Sequence, residues 1–306
     1  MLRLIKGFAK SSLRDSSAPD TGDLEPVLHN FSIEVMPRTA QKVENFAAIL
    51  PQGTRVYIAH LPDVDFDDMV ATAKRLTDEG MTPMPHITAR LIENRADLEA
   101  RVARYADEAG VNQALLLAGG LAEARGDYHS SMQLAESGIF DARGFDRLHF
   151  AGHPEGNRDI DKDGTRIVDE AARWKHDFAE RTDAGVALVT QFAFEARPVL
   201  DWIARMRAAG VELPVHVGIA GPAKLQTLIR FAVECGVGPS IGVLKKRAAD
   251  VTKLVKPYEP DEVMQAFARA HSAEGQLVEQ FHFFPLGGIE TCARWIDSHT
   301  NQKSRT

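Results

Sequence analysis

The chain is short of several things, and each shortage removes a class of protein. It has only two cysteines, Cys235 and Cys292, in 306 residues. They form no CxxC pair and no zinc-type spacing, so neither a disulfide framework nor a thiolate metal site is expected. A reduced, cytoplasmic setting fits best. No run of about 18 apolar residues occurs, so no membrane span is expected. Basic charge is in deficit: 36 Lys and Arg stand against 43 Asp and Glu, a net charge of -7. A nucleic-acid partner needs a broad basic face and is not expected. A small anionic substrate needs only a local basic patch and stays open. No GxGxxG follows the first predicted strand, which argues against an open dinucleotide-binding sheet. The opening segment from Met1 to Lys10 is basic and amphipathic but lacks the apolar core of a signal peptide.

What is present is an ordinary globular composition, 44% hydrophobic and 26% charged. Short apolar runs alternate with helical patterns. Strands are predicted at 31–35, 55–59, 84–88, 113–117, 147–151, 187–190, 215–219 and 280–284. Helices are predicted at 42–50, 65–79, 96–109, 132–137, 165–182, 198–209, 223–235 and 289–298. Asp65 is placed to cap the second of these, with Gly80 closing it, and Gly110 stops the third. Eight strands with crossover helices imply a parallel sheet, and eight is the number that closes a barrel. The expectation is therefore a single (β/α)8 barrel over residues 31–300, with a polar, mostly helical insertion over 236–279 that carries Lys245-Lys246-Arg247. Residues 1–30 are expected to form a flexible arm, or one that packs on a second copy of the chain.

In such a barrel, catalytic groups sit at the carboxyl ends of the strands. The most informative stretch runs from Asp183 to Glu195. Gly185 suits a turn after a helix, Val186 to Val189 reads as a buried strand, and Thr190 and Gln191 follow at its carboxyl end. The alternation of Phe31-Ser32-Ile33-Glu34-Val35 puts Ser32 and Glu34 on one face, pointing into the barrel. A desolvated carboxylate there is expected to have a raised pKa, which suits a general acid. The other reading of Glu34 is a rim carboxylate paired with a basic residue. His86 is either a ligand contact or a hydrogen-bonded buried histidine. Gly119-Gly120 allows close approach of backbone to a ligand, or simply makes a sharp turn. His149, His153 and His129 have no carboxylate at fixed spacing, so no metal is expected. The run from Asp159 to Gly164 reads as a solvated loop before a capped helix.

Taken in order, these segments resemble the methylenetetrahydrofolate reductase family. Ser32-Ile33-Glu34-Val35-Met36-Pro37, Pro85-His86-Ile87-Thr88, Ala151-Gly152-His153-Pro154-Glu155, Asp183-Ala184-Gly185 with Thr190-Gln191-Phe192-Ala193-Phe194-Glu195, Gly218-Ile219 and Phe281-His282-Phe283-Phe284 are similar to its successive strand motifs. The resemblance covers about residues 31 to 296. It implies a barrel that binds flavin adenine dinucleotide (FAD) and reduces 5,10-methylenetetrahydrofolate with NADH or NADPH, in the one-carbon chemistry that feeds methionine biosynthesis. It further implies Glu34 as the acid that protonates the folate N10. Gln191, Phe192, Leu225 and Phe284 fall at substrate positions. His86, Gly119, Gly120, Tyr128, His153, Asn157 and Arg181 fall at flavin positions. The fourth strand ends in Ala118-Gly119-Gly120 where the family has Arg-Gly-Asp, so the carboxylate that tunes the flavin is missing. The alternative expectation is a folate-binding one-carbon transfer protein with no redox step. A barrel without catalytic function ranks last, because Glu34 and Gln191 are costly to hold at an apolar mouth without a use.

Overall fold

A computed structural model describes residues 24–162, 164–234, 242, 257–274 and 278–300. Its eight strands form one closed barrel in sequence order, and every neighbouring pair is parallel. They are β1 (Ser32–Val35), β2 (Arg55–Ile58), β3 (Thr82–Thr88), β4 (Gln113–Leu117), β5 (Arg147–Gly152), β6 (Gly185–Ala193), β7 (Val215–Ala220) and β8 (Gln280–Phe284). The helices are α1 (Glu25–Leu28), α2 (Pro37–Ala40), α3 (Phe66–Asp78), α4 (Arg95–Ala109), α5 (Ser131–Glu136), α6 (Ile139–Ala142), α7 (Arg166–Ala179), α8 (Ala196–Ala208), α9 (Leu225–Glu234), α10 (Asp261–Glu274) and α11 (Ile289–Thr300). The (β/α)8 expectation holds. Among the described residues no helix is long and apolar enough to cross a membrane.

Local chemistry sets the helix ends. Asp65 accepts a hydrogen bond from the Asp67 backbone N–H at the start of α3, and Asn94 does the same from Asp97 for α4. Gly110 ends α4 in the left-handed conformation at φ 65°. Ser130 and Gln133 make a reciprocal capping box on α5. Outward-facing strand residues such as Ile33, Val56, Leu116, Phe150 and Val217 pack under the helices in one continuous core.

Two expectations need correction. The helix predicted over 42–50 is a single 3-10 turn, Phe46–Ala48, preceded by α2. Arg75 explains why. Its guanidinium donates to the backbone carbonyls of Ala40, Val43 and Glu44, which a continuous helix would use internally. The sixth strand is longer than predicted and irregular. Between Val189 and Phe192 the register against β7 shifts, with three steps on β6 matched by two on β7 from His216 to Gly218. This is a β-bulge at Thr190-Gln191, a feature common beside functional sites. Residues 1–23, Cys235 and Lys245-Lys246-Arg247 lie outside the described residues, as does most of the insertion. α10 is its described helical part.

Candidate functional site

The mouth of the barrel is built around Glu34. The alternation of β1 carries Ser32 and Glu34 to the inner face, as expected. Glu34 retains 19% side-chain exposure, and its Oε2 lies 3.3 Å from His86 Nε2 on β3. The same oxygen lies 3.9 Å from His282 Nε2 on β8. Ser32 Oγ and His282 Nδ1 are hydrogen-bonded at 3.0 Å, which fixes that ring from behind. His86 Nε2 makes no aligned hydrogen bond, so its contact with Glu34 is one of proximity.

The carboxyl does not titrate as the sequence suggests. Burial pushes its pKa up, but His282 and His86 together outweigh burial and bring it down to about 2. In the open site Glu34 is a carboxylate between two imidazoles. His282 is itself lowered, because its burial outweighs the attraction of Glu34.

One side of the mouth is aromatic. Phe192, Leu225 and Phe284, the expected substrate positions, share one buried cluster with Phe194, Ala220 and Tyr258. Phe192 and Phe284 meet edge to face with centroids 5.4 Å apart. Phe284 meets His282 in the same way at 4.8 Å, so the apolar wall adjoins the Glu34 group. Gln191 is exposed on the bulge, and its Oε1 accepts from the Phe192 backbone N–H. The bulge needs Gly218: a Cβ there would come within 2.5 Å of the Thr190 carbonyl and 2.6 Å of the Gln191 carbonyl. The Thr190 hydroxyl accepts from the Gly218 N–H at 2.9 Å, which locks the pair. Gly218→Ala is therefore expected to destabilise the fold by about 3 kcal/mol or more, since the clash is with backbone. Chemical denaturation would read this. A loss below about 1 kcal/mol would mean that the bulge is soft.

The expected flavin positions scatter. Gly120 faces open space, with nothing within 4 Å of a Cβ built on it. Gly119 has φ +97° and packs its α-carbon side against Thr88. His153 follows β5 at the rim, where burial first and the Lys175 charge second depress its pKa to about 4. Asn157 lies in the loop after β5, and its side chain accepts from the Asp159 N–H. His86 is engaged at Glu34. The other two residues need correction. Tyr128 is buried in the main core, because the segment after β4 runs beside the loop that leads into α4, where the Arg125 and Asp127 N–H groups donate to the Arg90 and Glu93 carbonyls. Arg181 lies between α7 and β6, and such helix-to-strand connections fall at the amino-end face, opposite the mouth. There it stacks over Trp174 and Phe178.

His149 lies inside the barrel, whereas His153 is at the rim and His129 is exposed. Among the described residues no group of three or more His, Cys, Asp or Glu side chains is placed to hold a metal ion. An open groove of about 760 Å³ runs beside the mouth, lined by Pro154, Phe194, Glu195, Pro198 and Val263 among others. Its lining includes neither Glu34 nor His86. The sequence reading missed Tyr57, His216 and His282 as members of the interior. For two of them the signal was alternation, Tyr57 standing two residues from Arg55 and His282 two from Gln280 and Phe284. His216 has only Gly218 at that spacing on β7 and no such signal.

No protein-family model matches the chain. Among solved structures it is similar to an uncharacterised protein from Clostridium thermocellum that binds two copies of 5-methyl-5,6,7,8-tetrahydrofolic acid. The TM-score is 0.56 at 13% identity, covering 91% of this chain and 98% of that one. At that identity the likeness shows the fold.

Proposed function

We propose that this chain binds a reduced folate at the mouth of its barrel and reduces 5,10-methylenetetrahydrofolate to 5-methyltetrahydrofolate with NADH or NADPH. The observation that carries the reading is Glu34 between His86 and His282, beside the wall of Phe192, Leu225 and Phe284. It sets a proton-handling group beside an apolar, aromatic wall, the combination expected of a small-molecule site. The folate ligand of the similar Clostridium thermocellum protein supports the substrate class.

In this reading the folate covers the mouth and removes the remaining exposure of Glu34. Desolvation then gains on the two histidines, and the carboxylate takes up a proton. It passes that proton to N10, the five-membered ring opens to an iminium, and hydride from the nicotinamide reduces the iminium carbon to a methyl group. Gln191 is placed on the bulge to hydrogen-bond the pterin. The residues present do not suit a flavin relay: Tyr128 is buried in the core and Arg181 is on the far face. We therefore route the hydride directly from nicotinamide to folate.

A second reading, folate binding for one-carbon transfer with no redox step, is favoured by Ala118-Gly119-Gly120, which leaves no carboxylate at the end of β4. One experiment separates them. The purified protein is mixed with methylenetetrahydrofolate and NADH or NADPH, and nicotinamide absorbance, methyl-folate formation and the visible spectrum are followed. Nicotinamide oxidation matched by methyl-folate, with no flavin band, is the expected result. Folate binding without oxidation would establish the second reading. A stoichiometric flavin band would restore the relay, and absence of folate binding would remove both readings.

A further inference from the structure

Barrels of this kind are usually filled with branched apolar side chains. This one holds a column of ionisable groups. At the amino-end face, Glu279 is 46% exposed. Its Oε2 lies 2.6 Å from His216 Nε2. The His216 ring meets His149 nearly at right angles, with centroids 4.6 Å apart. His149 Nδ1 and the Tyr57 hydroxyl are hydrogen-bonded at 2.5 Å. The Tyr57 ring lies 4.3 Å from His282, whose Nε2 approaches Glu34. Tyr57 is on β2 and His149 on β5, which are not neighbours, so their bond crosses the interior.

Two atoms in this column are left over. His149 Nε2 and His216 Nδ1 are buried without hydrogen-bond partners. Each belongs to a ring whose other nitrogen is engaged, and the two rings face each other. A buried polar atom without a partner costs about 1–3 kcal/mol. An apolar pair would fill the same space without that penalty, so packing alone does not account for the two histidines.

We propose that the barrel axis is a proton path from the amino-end face to Glu34, with Glu279 as its port and His216, His149 and Tyr57 as its carriers. The need for it rests on the reading above, in which Glu34 gives up a proton under a bound folate. The ligand that lets Glu34 act also closes the mouth to water, while the opposite face stays open. Along the path a solvent proton reaches Glu279 and passes to His216 Nε2, as Nδ1 of the same ring releases one toward His149 Nε2. His149 Nδ1 in turn passes a proton to the Tyr57 oxygen, which releases its own toward His282 and Glu34. One proton enters for each that leaves, and no electrons move. Two junctions, His216 to His149 and Tyr57 to His282, are ring contacts, which ring rotation or a single water molecule can cross. Arg55 and Arg147 flank the column. Burial first, then the charges of His216, Arg55 and Arg147, keep His149 neutral at rest, so the rings pass a proton rather than store it.

The test uses the full chain, free of folate, with 15N-labelled histidine, and measures exchange of the His149 imidazole N–H with water. Glu279→Gln, at a half-exposed position where the fold tolerates change, is expected to slow that exchange by about tenfold or more. His216→Phe should slow it further where the variant folds. An unchanged rate in Glu279→Gln overturns the path. So does a rate slowed by Glu34→Gln alone, because solvent would then reach His149 from the mouth. Folate binding is titrated separately, so its failure would remove the folate reading and leave the exchange result standing.

Discussion

Glu34→Gln is expected to lower the rate of folate reduction by about 100- to 10,000-fold, the range in which positioned acid–base groups act. Gln keeps the volume of the side chain and an acceptor for His282, so the barrel should fold. It holds no transferable proton. The same variant should change the protons exchanged on binding. The wild-type carboxyl, near 2 in the open site, is ionised at neutral pH and takes up a proton once folate covers it. Titration calorimetry in buffers of different ionisation heat would show net proton uptake by the wild type and none by the variant. Wild-type turnover in a folded Glu34→Gln protein would remove Glu34 from the chemistry. Lost turnover without wild-type proton uptake would move the donor to a neighbouring imidazole, and His86, 3.3 Å away, would be the next to replace.

The placement of Glu34 was legible because alternation on a short strand is a local signal. So were the eight strands and the caps at Asp65 and Gly110. The pKa of Glu34 was not legible, and the reason is distance along the chain. Ser32 and His282 are 250 residues apart, and only closure of β1 against β8 brings them together. Burial alone was visible from the sequence, and it gave the opposite sign to the pKa. The bulge at Thr190-Gln191 was hidden for a similar reason, since its cause is the missing Cβ of Gly218 on another strand. Arg181 failed differently. Its closeness in sequence to a strand motif suggested closeness to the mouth, but a barrel places the residues before a strand and those after it at opposite faces. The predicted order of strands and helices already excludes it from the mouth.

Lys175→Met is expected to stabilise the protein at neutral pH, by about 2 kcal/mol. Lys175 is a cation on α7, 4% exposed. Its ammonium donates a hydrogen bond to the Ala151 carbonyl, at 2.8 Å. Phe150 lies beneath it at 5.9 Å. Burial pushes its pKa down from 10.5 to about 8. Between those values the unfolded chain holds a proton that the folded chain has released, so stability rises with pH across that window. Below pH 8 both states are protonated and the full penalty for burying an ammonium group remains, about 3 kcal/mol. Met removes that penalty but loses the bond to Ala151, worth about 1 kcal/mol. Above about pH 10.5 neither state is charged, and the advantage should vanish or reverse. Denaturant melts of both proteins from pH 7 to pH 11 would trace the difference. His153 gives an independent reading. Lys175 helps to depress its pKa to about 4, so removing the charge should raise the His153 titration midpoint. A variant less stable than wild type at pH 7, with His153 unmoved, would mean that Lys175 is solvated in solution and that the amine–carbonyl contact is structural support for the end of β5.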